Sequence, residues 1–228
     1  TVELLSGLRR GKTLGSPIAL AIKNKDASID RLPVVTQPRP GHADLAGAIK
    51  YDHRDIRNVL ERASARETAA RVAVGALCKQ LRSPLGVELA SHVIALGSTR
   101  AKPVAATVAM ARRKADGTPL RCLDPAATKK MMKEIDACVK AGDTLGGIFE
   151  VLVEGAPPGL GSYVHYDRRL DAILGRAILS IHAVKAVEVG DGVLAASLHG
   201  SQVQDEIFYT KAKGFSRSSN RAGGFEAA

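Results

Sequence analysis

Apolar residues recur along this chain at two spacings, and the switches between them separate helical from extended stretches. From Ala65 to about Leu81, the residues Ala69, Val72, Ala73, Ala76 and Leu77 fall on one stripe of a helical repeat. A helix is predicted there, with enough alanine to let a neighbouring element approach closely. Asp124 ahead of Pro125 reads as an N-cap followed by proline in the first turn, and the helix it opens stops at Gly142. A third helix follows Asp167, with Leu170, Ile173, Leu174, Ala177, Ile178 and Ile181 at helical spacing. Elsewhere alternation takes over: Val87, Leu89, Ser91, Val93 and Ala95 mark a strand from Val87 to Leu96, and Phe149, Val151 and Val153 mark another. The short runs Ile18–Ile22 and Val184–Val189 read as further strands. Residues 27–40 are punctuated by proline and read as loop, as does the Gly/Ser/Arg-rich tail 211–228.

One internal echo organises these elements. Gly11-Lys-Thr-Leu-Gly15 precedes apolar strand residues, and Gly142-Asp-Thr-Leu-Gly146 precedes another strand. Each copy is followed, after a loop, by a long helix and a further strand. The expectation is a single domain over 1–228 with an internal duplication, about 1–98 and 142–209. That arrangement is an α+β fold, a pseudo-two-fold β-α-β sandwich with helices packed between antiparallel sheets. The copies are too few and too far apart for a solenoid.

Composition narrows the function classes. The chain has 228 residues, 45% of them hydrophobic, enough for a real core. No apolar run approaches the roughly 20 residues that span a bilayer, so no membrane partner is expected, and the first residues lack the pattern of a signal peptide. Cys78, Cys122 and Cys138 are odd in number and far apart, with neither metal-ligand nor disulfide spacing, which suits a reducing cytoplasm. The formal charge of +10 calls for an anionic partner. With no tryptophan, 4% aromatic residues and no helix-turn-helix or base-stacking motif, nucleic acid is not that partner. Lys129, Lys130 and Lys133 read as a solvated helix face, while arginines beside glycine-rich turns suit small phosphorylated ligands.

Two segments concentrate the candidate chemistry. Arg39-Pro-Gly-His-Ala-Asp44 sets a titratable histidine on a rigid Pro-Gly turn. Glu61-Arg-Ala-Ser-Ala-Arg-Glu-Thr68 contains a capping box, in which Ser64 accepts from the Glu67 amide and the Glu67 carboxylate reaches back to the Ser64 amide. First-turn amides attract anions, and Arg66 adds a planar, permanently charged fork in the same turn. His53, His92, His165 and His199 have no metal-ligand spacing. Pro158-Gly-Leu-Gly161 lacks the Lys-Ser/Thr and the following helix of a phosphate loop and reads as a turn.

Taken together, these segments resemble the chorismate synthase family. The residues that carry the resemblance run from Leu5 to Ile18, Arg39 to Asp44 and Glu61 to Val72. They continue in Gly142 to Gly147, Pro158 to Gly161, Ser180 to Lys185 and Asn220 to Gly224, all in the family's order. The resemblance implies a lyase of the shikimate pathway, in aromatic amino acid biosynthesis. Such an enzyme converts 5-enolpyruvylshikimate 3-phosphate to chorismate and phosphate by a 1,4-elimination that needs reduced FMN. It also implies a cytoplasmic homo-oligomer, a tetramer, and leaves open whether NADPH reduces the flavin on the enzyme. By position, His42 matches the histidine beside the flavin ring, a residue type whose unperturbed pKa of about 6.5 suits donating or accepting near neutrality. Arg39 and Arg66 match the clamp on the substrate's carboxylates and phosphate. Ser64, Ala65 and Arg66 match one stretch in contact with FMN. His182 and Ala183 match a second, with His182 contributing backbone rather than imidazole. Ala227 stands near the flavin where the family favours glycine.

The family's N-terminal and C-terminal catalytic blocks have no counterpart here, the loop Ala27 to Thr36 is short, and Lys79 to Pro84 looks abruptly joined. The expectation is that these residues are the core of a longer chain, inactive alone. A non-catalytic flavin- or polyanion-binding module is the competing reading.

Overall fold

Tight turns build the first strands. In the computed structural model, which describes residues 1–26, 28–63, 66–212 and 214–226, β1 (Val2–Leu4), β2 (Leu8–Arg9), β3 (Lys12–Thr13) and β4 (Leu20–Ile22) come first. The helices α1 (Asp44–Tyr51), α2 (Arg57–Arg62) and α3 (Arg66–Arg82) follow. Next come β5 (Glu88–Leu96), β6 (Thr99–Arg100), the short α4 (Val108–Met110) continued by a π-turn over Ala111–Ala115, α5 (Pro125–Ala141) and β7 (Gly147–Glu154). The chain closes with α6 (Leu170–Leu179), α7 (Gly200–Val203), β8 (Ile207–Thr210) and β9 (Gly214–Arg217). Every strand pairing is antiparallel: β1 with β4, β2 with β3, β8 with β9, and β6-β5-β7 in a three-stranded sheet. The fold is α+β, as expected. It divides into two compact units, one of Cys78–Leu160 and one of Thr1–Leu77 with Gly161–Ala228.

The Cys78–Leu160 unit is built around α5 and β5. Asp124 caps α5, its Oδ1 accepting from the N–H groups of Ala126 (2.9 Å) and Ala127 (3.1 Å). Gly142 ends the helix with φ +67°, a left-handed conformation that glycine adopts without strain. Met131, Cys122 and Ala127 form the core, with Val93, Leu96, Ala101 and Leu120 packed against them. The alternation predicted for Val87 to Ala95 is interrupted. The ladder pairs Val93 with Phe149 but Ala95 with Ile148, so Ile94 is a bulge and the parity changes there. The residues buried on β5 are therefore His92 and Ala95.

The other unit is differently made. Arg10 and Gly11 turn the β2–β3 hairpin, both at positive φ (51° and 74°), as a type I′ turn requires. Ile56 and Val59 are its only buried apolar residues among those described. Gly47 lets α1 meet α2, since a Cβ there would lie 2.5 Å from Val59 Cγ1. The α3 stripe is mostly not buried: Val72 is 67% exposed, while Ala73, Ala76 and Leu77 line a shallow hollow of about 180 Å³ with Val2, Leu4 and Leu20. Two paired strands cover only part of the stripe. The third helix ends at Leu179, short of Ile181. Val184–Val189 forms no strand. Its end is held instead by the turn that follows, where the Asp191 N–H donates to the Arg221 carbonyl (2.6 Å). Gly190 lies so close that a Cβ would come within 2.0 Å of the same oxygen. In the tail, Tyr209 pairs with Phe215 across β8 and β9, ring centroids 5.1 Å apart, so part of the expected loop is strand.

Candidate active site

The Pro-Gly turn that carries His42 is fixed by an acid three residues further into the sequence than its glycine. Gly41 has φ +74°, and the His42 N–H donates to the Arg39 carbonyl at 3.4 Å, closing the turn. Asp44 opens α1 and is fully buried. Its carboxylate accepts from the Arg39 N–H (3.0 Å), from Nε (2.9 Å) and from Nη2 (3.1 Å). The Arg39 side chain, by hydrogen bonding, holds the Asp44 carboxyl at about 2 despite the opposing effect of burial, and the positive charge of His42 adds to this. The acid is therefore ionised throughout the physiological range, and one fork of Arg39 is committed to it while 43% of that side chain stays exposed. His42 itself is exposed.

The second segment is joined to the third. Arg66, in the first turn of α3, pairs through Nη1 with Glu61 Oε2 at 2.5 Å. Glu67 Oε1 accepts from Arg71 Nε at 3.2 Å, and Glu67 Oε2 lies 3.1 Å from His182 Nε2. Arg71 in turn donates to Ser180 Oγ and to the Ser180 carbonyl, each at 3.0 Å. Arg66, His182 and Ala183 are thus brought to one region of this unit through Glu67 and Arg71. Ala183 sits at φ +67°, a left-handed conformation unusual for an L-residue. Ser64, Ala65 and Ala227 lie outside the described residues, and so does the Ser64 half of the expected capping box. The described partners of the Glu67 carboxylate are Arg71 and His182.

Between α1, α2 and the start of α3 lies an open cleft of about 650 Å³, lined on its polar side by Lys50, Tyr51, His53, Asn58, Arg62 and Glu67. Lys50 Nζ stands 5.3 Å from the centre of the Tyr51 ring. The cleft also includes Ala43, which follows His42, and Glu67, which follows Arg66. Its cations suit an anionic ligand. No group of histidine, cysteine and acidic side chains able to hold a metal ion occurs among the described residues. No helix among them is long and apolar enough to cross a membrane.

A family model for chorismate synthase matches residues 1–228. The chain belongs to the chorismate synthase family. The chorismate synthase of Symbiobacterium thermophilum is 52% identical over 243 residues, covering 99% of this chain and 62% of the relative. That of Geobacillus kaustophilus is 51% identical over 242 residues, with the same coverage. A crystal structure of chorismate synthase superimposes with a TM-score of 0.88 at 44% identity, over 100% of this chain and 66% of that one. The chain thus spans about 62% of the length of these curated chorismate synthases.

Two residues of this unit were not singled out from sequence. Arg71 stands four residues after Glu67, a spacing that signals a helix-surface ion pair but not the longer reach to Ser180. Asp205 accepts from the Ser219 hydroxyl and from the N–H groups of Arg221 (2.8 Å) and Ala222 (3.0 Å). These hydrogen bonds, the Ser219 hydroxyl first, hold its carboxyl below the usual range. They fix the Asn220-Arg-Ala-Gly-Gly224 turn, and no local pattern announces a partner 14 to 17 residues away.

Proposed function

We propose that this chain is the core of a chorismate synthase: a lyase that converts 5-enolpyruvylshikimate 3-phosphate to chorismate and inorganic phosphate by 1,4-elimination, in dependence on reduced FMN. The observation that carries the reading is the family match over residues 1–228. The residues present also fit FMN, a flavin rich in hydrogen-bond acceptors and bearing a phosphate. Arg66 supplies a cation, α3 supplies first-turn amides, and the N–H groups of His182 and Ala183 have no acceptor among the described residues. Ser64, Ala65 and Ala227 complete the cofactor set in this reading.

The reaction breaks the ester C–O bond to phosphate and removes a ring proton, with no net redox change. Bound reduced FMN would supply electron density to that elimination. The chain's own residues bind and orient. Arg66 and the exposed part of Arg39 neutralise the substrate's carboxylates and phosphate, which lowers the cost of developing negative charge on the leaving group. His42 would donate a proton or hydrogen bond to the bound cofactor, and the Asp44–Arg39 lock keeps the turn beneath it in one conformation. A cytoplasmic homotetramer is the assembly we assign to the full enzyme.

The test is anaerobic phosphate release from 5-enolpyruvylshikimate 3-phosphate by the full-length parent protein, with FMN either reduced or oxidised. Release with reduced FMN alone supports the lyase, and His42→Ala is then expected to lower turnover by at least about a hundredfold without unfolding the protein. The charge of +10 favours one second reading, a non-catalytic flavin- or polyanion-binding module. That reading requires salt-sensitive binding to generic polyanions and no release in either flavin state.

A further inference from the structure

Arg71 belongs to neither of the two stretches expected to contact the cofactor, yet its side chain ties them together. Nη1 donates to Ser180 Oγ and Nη2 to the Ser180 carbonyl, while Nε and Nη2 meet Glu67 Oε1 at 3.2 and 3.1 Å. Ser180 Oγ spends its own proton on the Ala177 carbonyl at 2.6 Å, which leaves its lone pairs for Arg71. The other Glu67 oxygen stands against His182 Nε2. Directly beyond this fastening, Ala183 is held at φ +67°. An L-residue keeps that conformation only where its surroundings enforce it. His182 and Ala183 are exposed, and their backbone N–H groups lack acceptors among the described residues.

We propose that Arg71 is a positioning residue: it latches residues 180–183 onto the first turn of α3, so that the N–H groups of His182 and Ala183 and the Arg66 cation serve one anionic, acceptor-rich ligand. The proposal rests on the flavin reading given above. Its chemistry requires a planar fork with several donors. A lysine at position 71 would keep the helical ion pair with Glu67 but could not reach the hydroxyl and carbonyl of Ser180 at the same time.

The experiment compares the wild-type protein with Arg71→Lys, Arg71→Met and Ser180→Ala. FMN affinity is read by quenching of flavin fluorescence, and amide hydrogen exchange is read without FMN. Arg71→Lys and Arg71→Met are both expected to weaken FMN by about tenfold, and Ser180→Ala, which keeps the carbonyl, by about threefold. Exchange should quicken at residues 181–184 while α5 stays unchanged. If Arg71→Lys binds FMN as wild type does, the ion pair alone suffices and the latch is wrong. Unchanged exchange at 181–184 in Arg71→Met overturns it without reference to any ligand. Wild-type protein that fails to bind FMN instead overturns the flavin reading, and the ligand half of the proposal with it.

Discussion

The unit Cys78–Leu160 and the unit formed by Thr1–Leu77 with Gly161–Ala228 are stabilised in different currencies. The former buries methionine, cysteine and alanine behind a three-stranded sheet. In the latter, the described residues bury little beyond Ile56, Val59 and the carboxylate of Asp44. Its order comes from directional contacts: Arg39 on Asp44, Arg71 on Ser180, and Asp205 on the Ser219–Ala222 turn. The described candidate site residues all lie in this second unit. Apolar packing is tolerant of direction, whereas a hydrogen-bonded fork fixes both distance and angle. The site proposed here, which would aim an imidazole and two guanidinium groups, is served by the second kind of order.

The comparison is broken most directly at Met131. Its replacement by alanine should cost about 3 kcal/mol, measured by denaturant unfolding, with faster exchange across β5 and α5. A cost below about 1 kcal/mol would mean that this unit has no core in the sense claimed. Asp44→Ala is expected to cost about 2 kcal/mol, at the low end for a broken buried pair because Arg39 can turn to water. The pH dependence sharpens the point. The Asp44 carboxyl is lowered from 3.8 to about 2 on folding. Its contribution is therefore fully present above pH 4 and lost as the pH falls through that window. Wild-type stability should fall between pH 4 and 2 by a component that Asp44→Asn lacks, read from unfolding midpoints across that range.

Smaller effects separate conformational from packing terms. Nothing lies within 4 Å of a Cβ built on Gly142, so Gly142→Ala tests only the left-handed cap, at about 1 kcal/mol. Val72 lies on the predicted apolar stripe of α3 but is 67% exposed. Val72→Ser should change stability by less than about 0.5 kcal/mol, and a loss comparable with that at Met131 would restore the stripe as a packing face.

What could be read from the sequence follows from the range of the interactions. Asp124, Pro125 and Gly142 announce α5 because caps act within a few residues, and both ends fall where they were expected. The helical period of α3 was legible too, but a period names the face able to be buried and is silent on whether anything covers it. His42 and Asp44 were visible as a motif, whereas the burial of Asp44 depends on how Arg39 folds back over it. Ile94 could not be recognised as a bulge, because its parity is set by a strand more than fifty residues away. Asp205 and Ser180 acquire their roles by the same kind of distant closure.

The bulge has a consequence for length variation in this protein. Ile94 is the one residue of β5 that the ladder skips, since Val93 faces Phe149 and Ala95 faces Ile148. Losing it would leave every remaining pair on its present face. Losing Val93 would let Ile94 take its place opposite Phe149 with His92 and Ala95 still inward, whereas losing a more distant residue such as Ala90 would flip the residues between it and the bulge, His92 among them. A single-residue gap among homologues in this strand is best tolerated at or beside Ile94.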